Sequence, residues 1–486
     1  MKTITIDPIT RLEGHGKISI FLNDKGNVAD AYLQVPELRG FEKFCQGRPV
    51  EEMPRITSRI CGVCPEAHLM ASAKASDAVY HMDIPSTAKK LRELLYVIFY
   101  VTDHTTHFYA LAGPDFVVGP DAPKAQRNIL GVIHKVGVEI GGKVVALRGM
   151  CHELIKNMGG KAVHPVGAIP GGMSKGMTKE EQKEFIEKGK EAIEFAKFTI
   201  QIFNDIVLKN KAYVDLILSD TFTHQTYNMG LVDKNNHVNF YDGDIRVKGP
   251  DGKEHAKFKP ADYLNYIEEH IEPWSYLKFP FLKKVGWKGF VDGVESGIYK
   301  ATPLSRLNVS DGMATPLANE EHDRMYKTLG GKPVHQTLAT HWARIIELLY
   351  AAERWVELAG DSDIIGPDFR MVPTETPDEG VGVVEAPRGT LYHHYKTDEN
   401  GLIKEANLIV GTTNNNAPIN LSVKKAAKGL IKNGKVNNGL LNMVEMAFRA
   451  YDPCFGCATH TLPGQMPLII RIMDKDHQLL EEIRRD

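Results

Sequence analysis

A chain of 486 residues, 43% hydrophobic and 25% charged, can bury a large core and form two or three subdomains. Its net charge of −2 supplies no basic surface for nucleic acid or an anionic membrane. The longest plain apolar run, from Leu94 to Val101, is far short of the roughly 20 residues that span a membrane.

The N-terminus, Met1-Lys-Thr-Ile-Thr-Ile, begins as a strand and carries no signal-peptide pattern. Strand-like runs at 17–22 and 27–35 flank Asn23-Asp24-Lys25-Gly26, which has hairpin turn chemistry. A helix is expected to start near Glu51, just ahead of a first cysteine pair. From Ser86 to about Leu111 apolar residues recur on a helical period, with Asp103, His104 and His107 in the second half. Asp121-Ala122-Pro123 is a cap with a proline in the first turn, opening a helix toward Met158 that should break at Gly141-Gly142. Thr178 and Glu181 form a capping box for a helix reaching about Leu208.

Between 211 and about 320, prolines and glycines punctuate short runs. This stretch reads as a mixed subdomain or insertion of small strands and turns, with a short helix near 262–269. A helix over 334–358 follows, then short strands over 381–410 that include Glu385-Ala-Pro-Arg388-Gly389. Helices near 421–432 and 440–449 deliver a second cysteine pair, residues 468–473 form a last strand, and 478–485 is a charged tail. No repeat or low-complexity tract stands out. The Gly-Gly-Lys stretches at 141 and 330 lack phosphate-loop spacing, so nucleotide binding is not supported.

Of six cysteines, four fall in two Cys-x-x-Cys pairs near the chain ends, Cys61 with Cys64 and Cys454 with Cys457. So few cysteines in a long, leaderless chain fit a reducing cytosol. Thiols three residues apart can face one ion, and two pairs supply a complete soft-metal ligand set. Cys45 and Cys151 stand alone and are expected to be buried, inert thiols. Structural zinc is the plain reading of the four. Zinc pairs, however, usually lie about 15–20 residues apart, and Arg55, Arg59, His68, Asp452 and His460 supply more ionisable groups than a closed site needs.

The run Arg59-Ile-Cys61-Gly-Val-Cys64-Pro-Glu-Ala-His68, together with Asp452-Pro-Cys454-Phe-Gly-Cys457-Ala-Thr-His460, resembles the large subunit of nickel-iron hydrogenases. Arg11-Leu-Glu13-Gly-His15, Arg39-Gly-Phe-Glu42, Asp103-His-Thr-Thr-His107-Phe-Tyr and Ala386-Pro-Arg388-Gly match too, in the right order over nearly the whole chain. The resemblance implies an α+β, predominantly α-helical fold with a central helix bundle and small peripheral β-sheets. It implies one catalytic domain over 1–460 and a 461–486 extension that a maturation protease removes once nickel is in place.

The same resemblance assigns roles. Cys61 and Cys454 would be terminal ligands of nickel. Cys64 and Cys457 would bridge it to an iron carrying carbon monoxide and two cyanides. His68 would donate to a bridging sulfur, or be an ordinary core histidine. Arg388 would stand over the metals with Asp103 and Asp452 beside it, and an ion pair there is compatible with that role. Thr412 would hydrogen-bond a cyanide. Glu13 would relay protons from a nickel-bound thiolate, or be a capping carboxylate. Glu42, the Leu408 carbonyl and His460 would hold magnesium or a similar ion. His104 and His107 are expected to serve structure.

The activity implied is reversible, heterolytic cleavage of H2 into two protons and two electrons. The metal thiolates leave no cysteine set for an iron-sulfur cluster. An iron-sulfur small subunit is therefore expected as partner, docked over a large apolar surface near the site. Thr412-Thr413-Asn414-Asn415-Asn416, in place of the membrane-bound branch's Thr-Thr-Trp-Asn, and the run from Thr226 to Asp233 are similar to the cytoplasmic branch. Within it the reading leans to the methanogen F420-non-reducing type feeding heterodisulfide reductase. NAD(P)- or sulfur-coupled enzymes are the alternative. A zinc scaffold, or a non-catalytic relative such as the quinone-site subunit of complex I, is the rival; those relatives lack the four cysteines.

Overall fold

The helices Ser86–Thr106 and Thr340–Gly360 run through the centre of the molecule and pack on each other, with Lys179–Phe203 against the second and Val138–Gly159 against the first. Both central helices are buried on almost every face, their apolar residues packing all round and their buried charges, such as Asp103, Arg344 and Glu347, turned to partners inside. Leu94, Leu95, Ile98, Trp342, Ile345, Leu348 and Trp355 are buried there, each contributing roughly 1.5–3 kcal/mol by leaving water. This computed structural model describes residues 2–459, 468–473 and 478–485.

Small sheets surround the bundle. Lys2–Ile6, Lys17–Leu22 and Val28–Gln34 form an antiparallel meander, with Ile18, Ile20 and Leu33 turned inward. The meander packs on the helix Asn416–Leu430 and shares a core with Val444, Phe448, Tyr451 and Phe455. That shared apolar cluster is the physical reason the two ends of the chain meet. Glu379–Ala386, Gly389–Thr397 and Ile403–Ile409 make a second meander, whose first strand lies along the helix Pro65–Val79. A six-stranded sheet built from Tyr227–Val232 and its neighbours shares a third cluster with that meander through Val383, Tyr392 and Ile409. The α+β, mainly helical architecture is the one expected.

Several local expectations need correction. The helix expected to start near Glu51 is present but short, Met53–Thr57, with the tight turns Val50–Glu52 and Ser58–Ile60 on either side. The central helix ends at Thr106 and continues as wider turns to Val118. Pro123 opens a single tight turn, and the helix starts at Ile129, capped by the Asn128 side chain on Gly131 N at 3.0 Å. Its break falls at Gly137, whose φ of 95° ends one helix before Val138–Gly159 begins. Gly141 and Gly142 lie inside the second helix.

In the mixed region, Pro260–Asn265 is one tight turn, and Ile267–Ile271 pairs antiparallel with Lys278–Leu282. Strand pairing overrides the helical pattern expected over 262–269. The helix expected over 334–358 begins at Thr340. Residues Leu479–Arg485 form a strand against Leu468–Met473 and so are not a free charged tail. The Thr178 and Glu181 capping box is present. Among the described residues no helix is long and apolar enough to cross a membrane.

Candidate metal centre

Cys61 closes the short turns of the first motif, and Cys64 stands at the start of the helix Pro65–Val79. The Cys61 sulfur accepts from Val63 N at 3.2 Å and Cys64 N at 3.1 Å. The second motif enters through Asp452, which holds a positive φ of 54°, and Cys454 then leads into the short helix Phe455–Ala458. Glu13 runs beside this segment as a lone parallel bridge: Phe455 N donates to Glu13 O at 3.0 Å, and Glu13 N to Pro453 O at 3.4 Å.

The four sulfurs converge. One sulfur atom from each of Cys61, Cys64, Cys454 and Cys457 falls within 4.8 Å of the others, and all four residues are buried. Cys61 and Cys454 lie 3.4 Å apart, Cys64 and Cys457 4.0 Å, and Cys454 and Cys457 2.8 Å. Burial and the neighbouring sulfurs push the Cys454 and Cys457 thiols well up, and Cys64 to about 11, while Cys61, accepting from the other thiols, is held well below its ordinary value. Four soft donors crowded this tightly in a buried pocket suit a soft transition-metal centre, which would relieve their mutual repulsion. Cys45 and Cys151 are buried elsewhere, with their thiols pushed up by desolvation.

A charged roof adjoins the sulfurs. Arg388, in the turn between Glu379–Ala386 and Gly389–Thr397, pairs with Asp103 at 2.9 Å and Asp452 at 2.8 Å. Burial pushes the Asp452 carboxyl up to about 7 against the pull of Arg388. Asp103 Oδ1 and Arg388 Nε are buried without a hydrogen-bond partner among the described residues. Both are polar atoms left over for something the side chains do not provide.

Glu13 Oε2 lies 2.9 Å from the Cys454 sulfur and accepts from Gly456 N at 2.9 Å. Burial raises this carboxyl's pKa, so it holds a proton more readily than an exposed one. A Cβ on Gly456 would fall 2.6 Å from Glu13 Oε1, which explains the glycine between Cys454 and Cys457. Thr412 Oγ1 accepts from Cys454 N at 3.0 Å. His68 is fully buried and pushed down to about 4 by desolvation, so its ring is neutral. Its Nδ1 meets His393 Nε2 at 3.1 Å, and its Nε2 has no hydrogen-bond partner among the described residues.

Glu42 stands apart from the cysteines. Its Oε1 accepts from Leu408 N at 3.0 Å, and desolvation pushes it up to about 7. His460 lies outside the described residues. His104 pairs with Glu347 at 2.9 Å, and His107 donates to the Arg449 carbonyl at 2.9 Å.

The sequence reading assigned no role to three groups. Arg39 donates through Nη1 to Ile60 O at 2.6 Å and Gly456 O at 3.2 Å, joining the residue before Cys61 to the residue before Cys457. Its place in Arg39-Gly-Phe-Glu42 was the available signal. Arg306, fully buried, pairs with Glu347 at 2.6 Å and Glu385 at 3.1 Å, bracing the strand that leads to Arg388. His393 and Tyr395 lie behind His68.

A family model described as nickel-dependent hydrogenase matches residues 39–136 and 217–460, and a HoxL-like model matches 3–38. An F420-non-reducing hydrogenase iron-sulfur subunit of Archaeoglobus profundus is 50% identical over the whole of both chains. An F420-non-reducing hydrogenase subunit of Methanothermobacter thermautotrophicus is 42% identical over 99% of this chain and 100% of its own. The NAD-reducing hydrogenase HoxS subunit beta of Cupriavidus necator is 39% identical over 100% of both. Among solved structures, an NAD+-reducing [NiFe]-hydrogenase in the H2-reduced state superposes with a TM-score of 0.88 at 37% identity, covering 95% of this chain and 100% of its own. With four sulfurs converging at a buried centre, the chain belongs to the nickel-dependent hydrogenases, being the catalytic large subunit that acts on H2.

Proposed function

We propose that Cys61, Cys64, Cys454 and Cys457 would hold a nickel and an iron carrying carbon monoxide and two cyanides, Cys61 and Cys454 serving nickel alone and Cys64 and Cys457 serving both metals. The observation that carries this assignment is the set of four buried sulfurs within 4.8 Å, with a carboxylate oxygen 2.9 Å from Cys454. The bound metals would supply the Lewis-acid and redox chemistry that separates H2 into two protons and two electrons.

The protein's own groups do the rest. Glu13, already within hydrogen-bond reach of the Cys454 sulfur, takes the proton and passes it outward; its raised affinity for protons suits an acceptor facing a thiol. Arg388 places a fixed positive charge beside the sulfurs, held in orientation by Asp103 and Asp452. Thr412, which accepts from Cys454 N, keeps its own hydroxyl proton for a cyanide. His68 offers Nε2 to a bridging sulfur. Glu42, the Leu408 carbonyl and His460 hold magnesium or a similar hard ion, which would restore the carboxylate that desolvation disfavours.

Electrons leave through an iron-sulfur small subunit. Gly62 and Val63, between the first two cysteines, are exposed and offer that partner a place to dock beside the sulfurs. The acceptor is heterodisulfide reductase, in the cytoplasm: the F420-non-reducing relatives at 50% and 42% identity stand nearer than the NAD-reducing one at 39%. The NAD(P)- and sulfur-coupled alternatives are separated by the test below. Residues 1–460 act as one catalytic domain, and a protease removes 461–486 during maturation.

The test is to purify the chain with the proteins that accompany it. Its nickel, iron and zinc are then measured, along with which acceptor is reduced under H2. Nickel with iron is expected. Zinc without nickel would overturn the assignment, and NAD(P) reduced in preference to a disulfide would overturn the acceptor. Intact-mass measurement on active protein should end at His460; a retained tail on active protein excludes the cleavage.

A further inference from the structure

A cavity of about 220 Å³ opens where three segments meet: the end of the first strand and the loop after it, the tight turn Lys124–Gln126 with Arg127, and the helix Asn438–Arg449. None of the four metal cysteines lines it. Arg127 does, and it is only 8% exposed. Its Nη2 donates to Asn438 Oδ1 at 3.2 Å, and its Nε is buried with no hydrogen-bond partner among the described residues. A guanidinium held out of water in this way needs a counter-charge.

The nearby buried carboxylates are already engaged. Asp115 pairs with Arg11 and, at 3.3 Å, with Arg449. Glu445 pairs with Arg449 at 2.8 Å and accepts from Thr10 N at 2.8 Å. Burial lowers the pKa of Arg127 against the pull of Asp115, Glu445 and Asp121. Lys124 adds a second positive charge to the cavity wall. Asn438, on the same wall, is the first residue of a helix of 12 residues, whose N-terminal end favours negative charge. Arg127, Lys124 and the helix start thus come from different segments and favour the same kind of guest, a small oxyanion.

The wall also says which oxyanion. Asp7 lines the cavity as an exposed carboxylate, and Glu445 lines it as a buried one. A carboxylate only accepts hydrogen bonds, so it repels an anion without a proton and can bind one that keeps a proton. Near neutral pH inorganic phosphate keeps at least one proton, whereas sulfate keeps none.

We infer that this cavity is a binding site for inorganic phosphate, with Arg127 and Lys124 donating to its oxygens and Asp7 accepting its proton. An ion held here would join the loop that runs from Thr10 and Arg11 into Glu13 to the helix that carries Glu445 and Arg449 and leads on to Cys454.

The test is equilibrium dialysis of the nickel-loaded complex, freed of phosphate, against radiolabelled inorganic phosphate at fixed ionic strength. One ion per large subunit is expected. Sulfate should compete weakly, and chloride not at all. Arg127→Met should weaken binding about tenfold or more, the weight of charge-assisted hydrogen bonds. Lys124→Met, at an exposed position, should weaken it less. Both variants should keep nickel and H2 uptake, since neither residue touches the sulfurs. Asp7→Asn should let sulfate compete as well as phosphate does. If Arg127→Met does not assemble, Lys124→Met carries the test, because an exposed lysine is dispensable to the fold. No phosphate held by the parent complex would overturn the site. So would equal displacement by sulfate and chloride, or binding undiminished in the Arg127 and Lys124 variants. An unchanged preference for phosphate over sulfate in Asp7→Asn would overturn the part given to Asp7.

Discussion

The two Cys-x-x-Cys motifs look alike in sequence and are held in opposite ways. The first is held mainly by its own chain: its own Val63 and Cys64 amides cap the Cys61 sulfur, it opens a helix, and its middle residues are exposed, while Arg39 on Ile60 O and His164 on Ser58 O tie the turns before it. The second is buried throughout and gripped by distant segments. Glu13 takes Gly456 N and Phe455 N, Thr412 takes Cys454 N, Arg39 takes Gly456 O, and Arg39 N donates to Thr459 O at 3.1 Å. One half of the metal site therefore forms mainly from local structure. The other forms only when the N-terminal meander, the Thr412 turn and the C-terminal segment are all in place. A site closed by its second half fits the proposed maturation cleavage at that end.

At the level of the ligands themselves the asymmetry should vanish, because a soft-metal site misses either thiolate equally. Cys454→Ser and Cys61→Ser are both expected to lose nickel and all H2 uptake, read by elemental analysis and gas consumption. Retention of nickel by either would break the ligand set. One step down, Glu13→Gln keeps an acceptor for Gly456 N but cannot take a proton. Hydrogen-deuterium exchange should fall by about 10²–10⁴-fold, the usual weight of a proton-transfer group, with metals unchanged. Normal exchange would remove Glu13 from the proton path and leave it only a grip on the second motif.

That grip marks the boundary of what could be read in the sequence. Cysteine spacing, Glu13 and Arg388 are legible because their chemistry resides in short runs. The partners of the second motif are less so. Arg39 was visible in a motif, but its contact with Gly456 spans 417 positions. The Arg306, Glu347 and Glu385 cluster and the His393 and Tyr395 line join strands to helices through pairings that no local pattern announces. The helix Pro65–Val79, rich in alanine and serine and buried on nearly all sides, shows little amphipathic contrast. At 129–159 the break was expected at Gly141-Gly142; it falls at Gly137, whose backbone takes a positive φ while Gly141 and Gly142 stay helical.

A milder variant separates the two motifs. Arg39→Met removes the donor that ties Ile60 O to Gly456 O. Hydrogen bonds from a charged group contribute about 1.5 kcal/mol or more each, toward the low end for a residue as exposed as this one. The variant should fold, hold less nickel after partial chelation, and show the loss at the second motif, as faster alkylation of Cys454 and Cys457 than of Cys61 and Cys64 in metal-depleted protein. Equal rates at all four would mean that the two ends are held alike.

The smallest effect is expected at Val63, which is 39% exposed between Cys61 and Cys64. The first motif uses the backbone amide of this residue and not its side chain, so Val63→Ala keeps the bond to the Cys61 sulfur. Stability should change by no more than about 0.5 kcal/mol, as for surface positions without a special role, and nickel content should match the parent chain. The side chain is nevertheless apolar at the rim where the iron-sulfur partner is proposed to dock. Val63→Asp should therefore weaken co-purification of that partner while nickel stays bound. Nickel lost from Val63→Ala would show that the first motif, too, depends on packing beyond its own backbone, and the contrast between a self-held and a borrowed half of the site would fail at its most exposed residue.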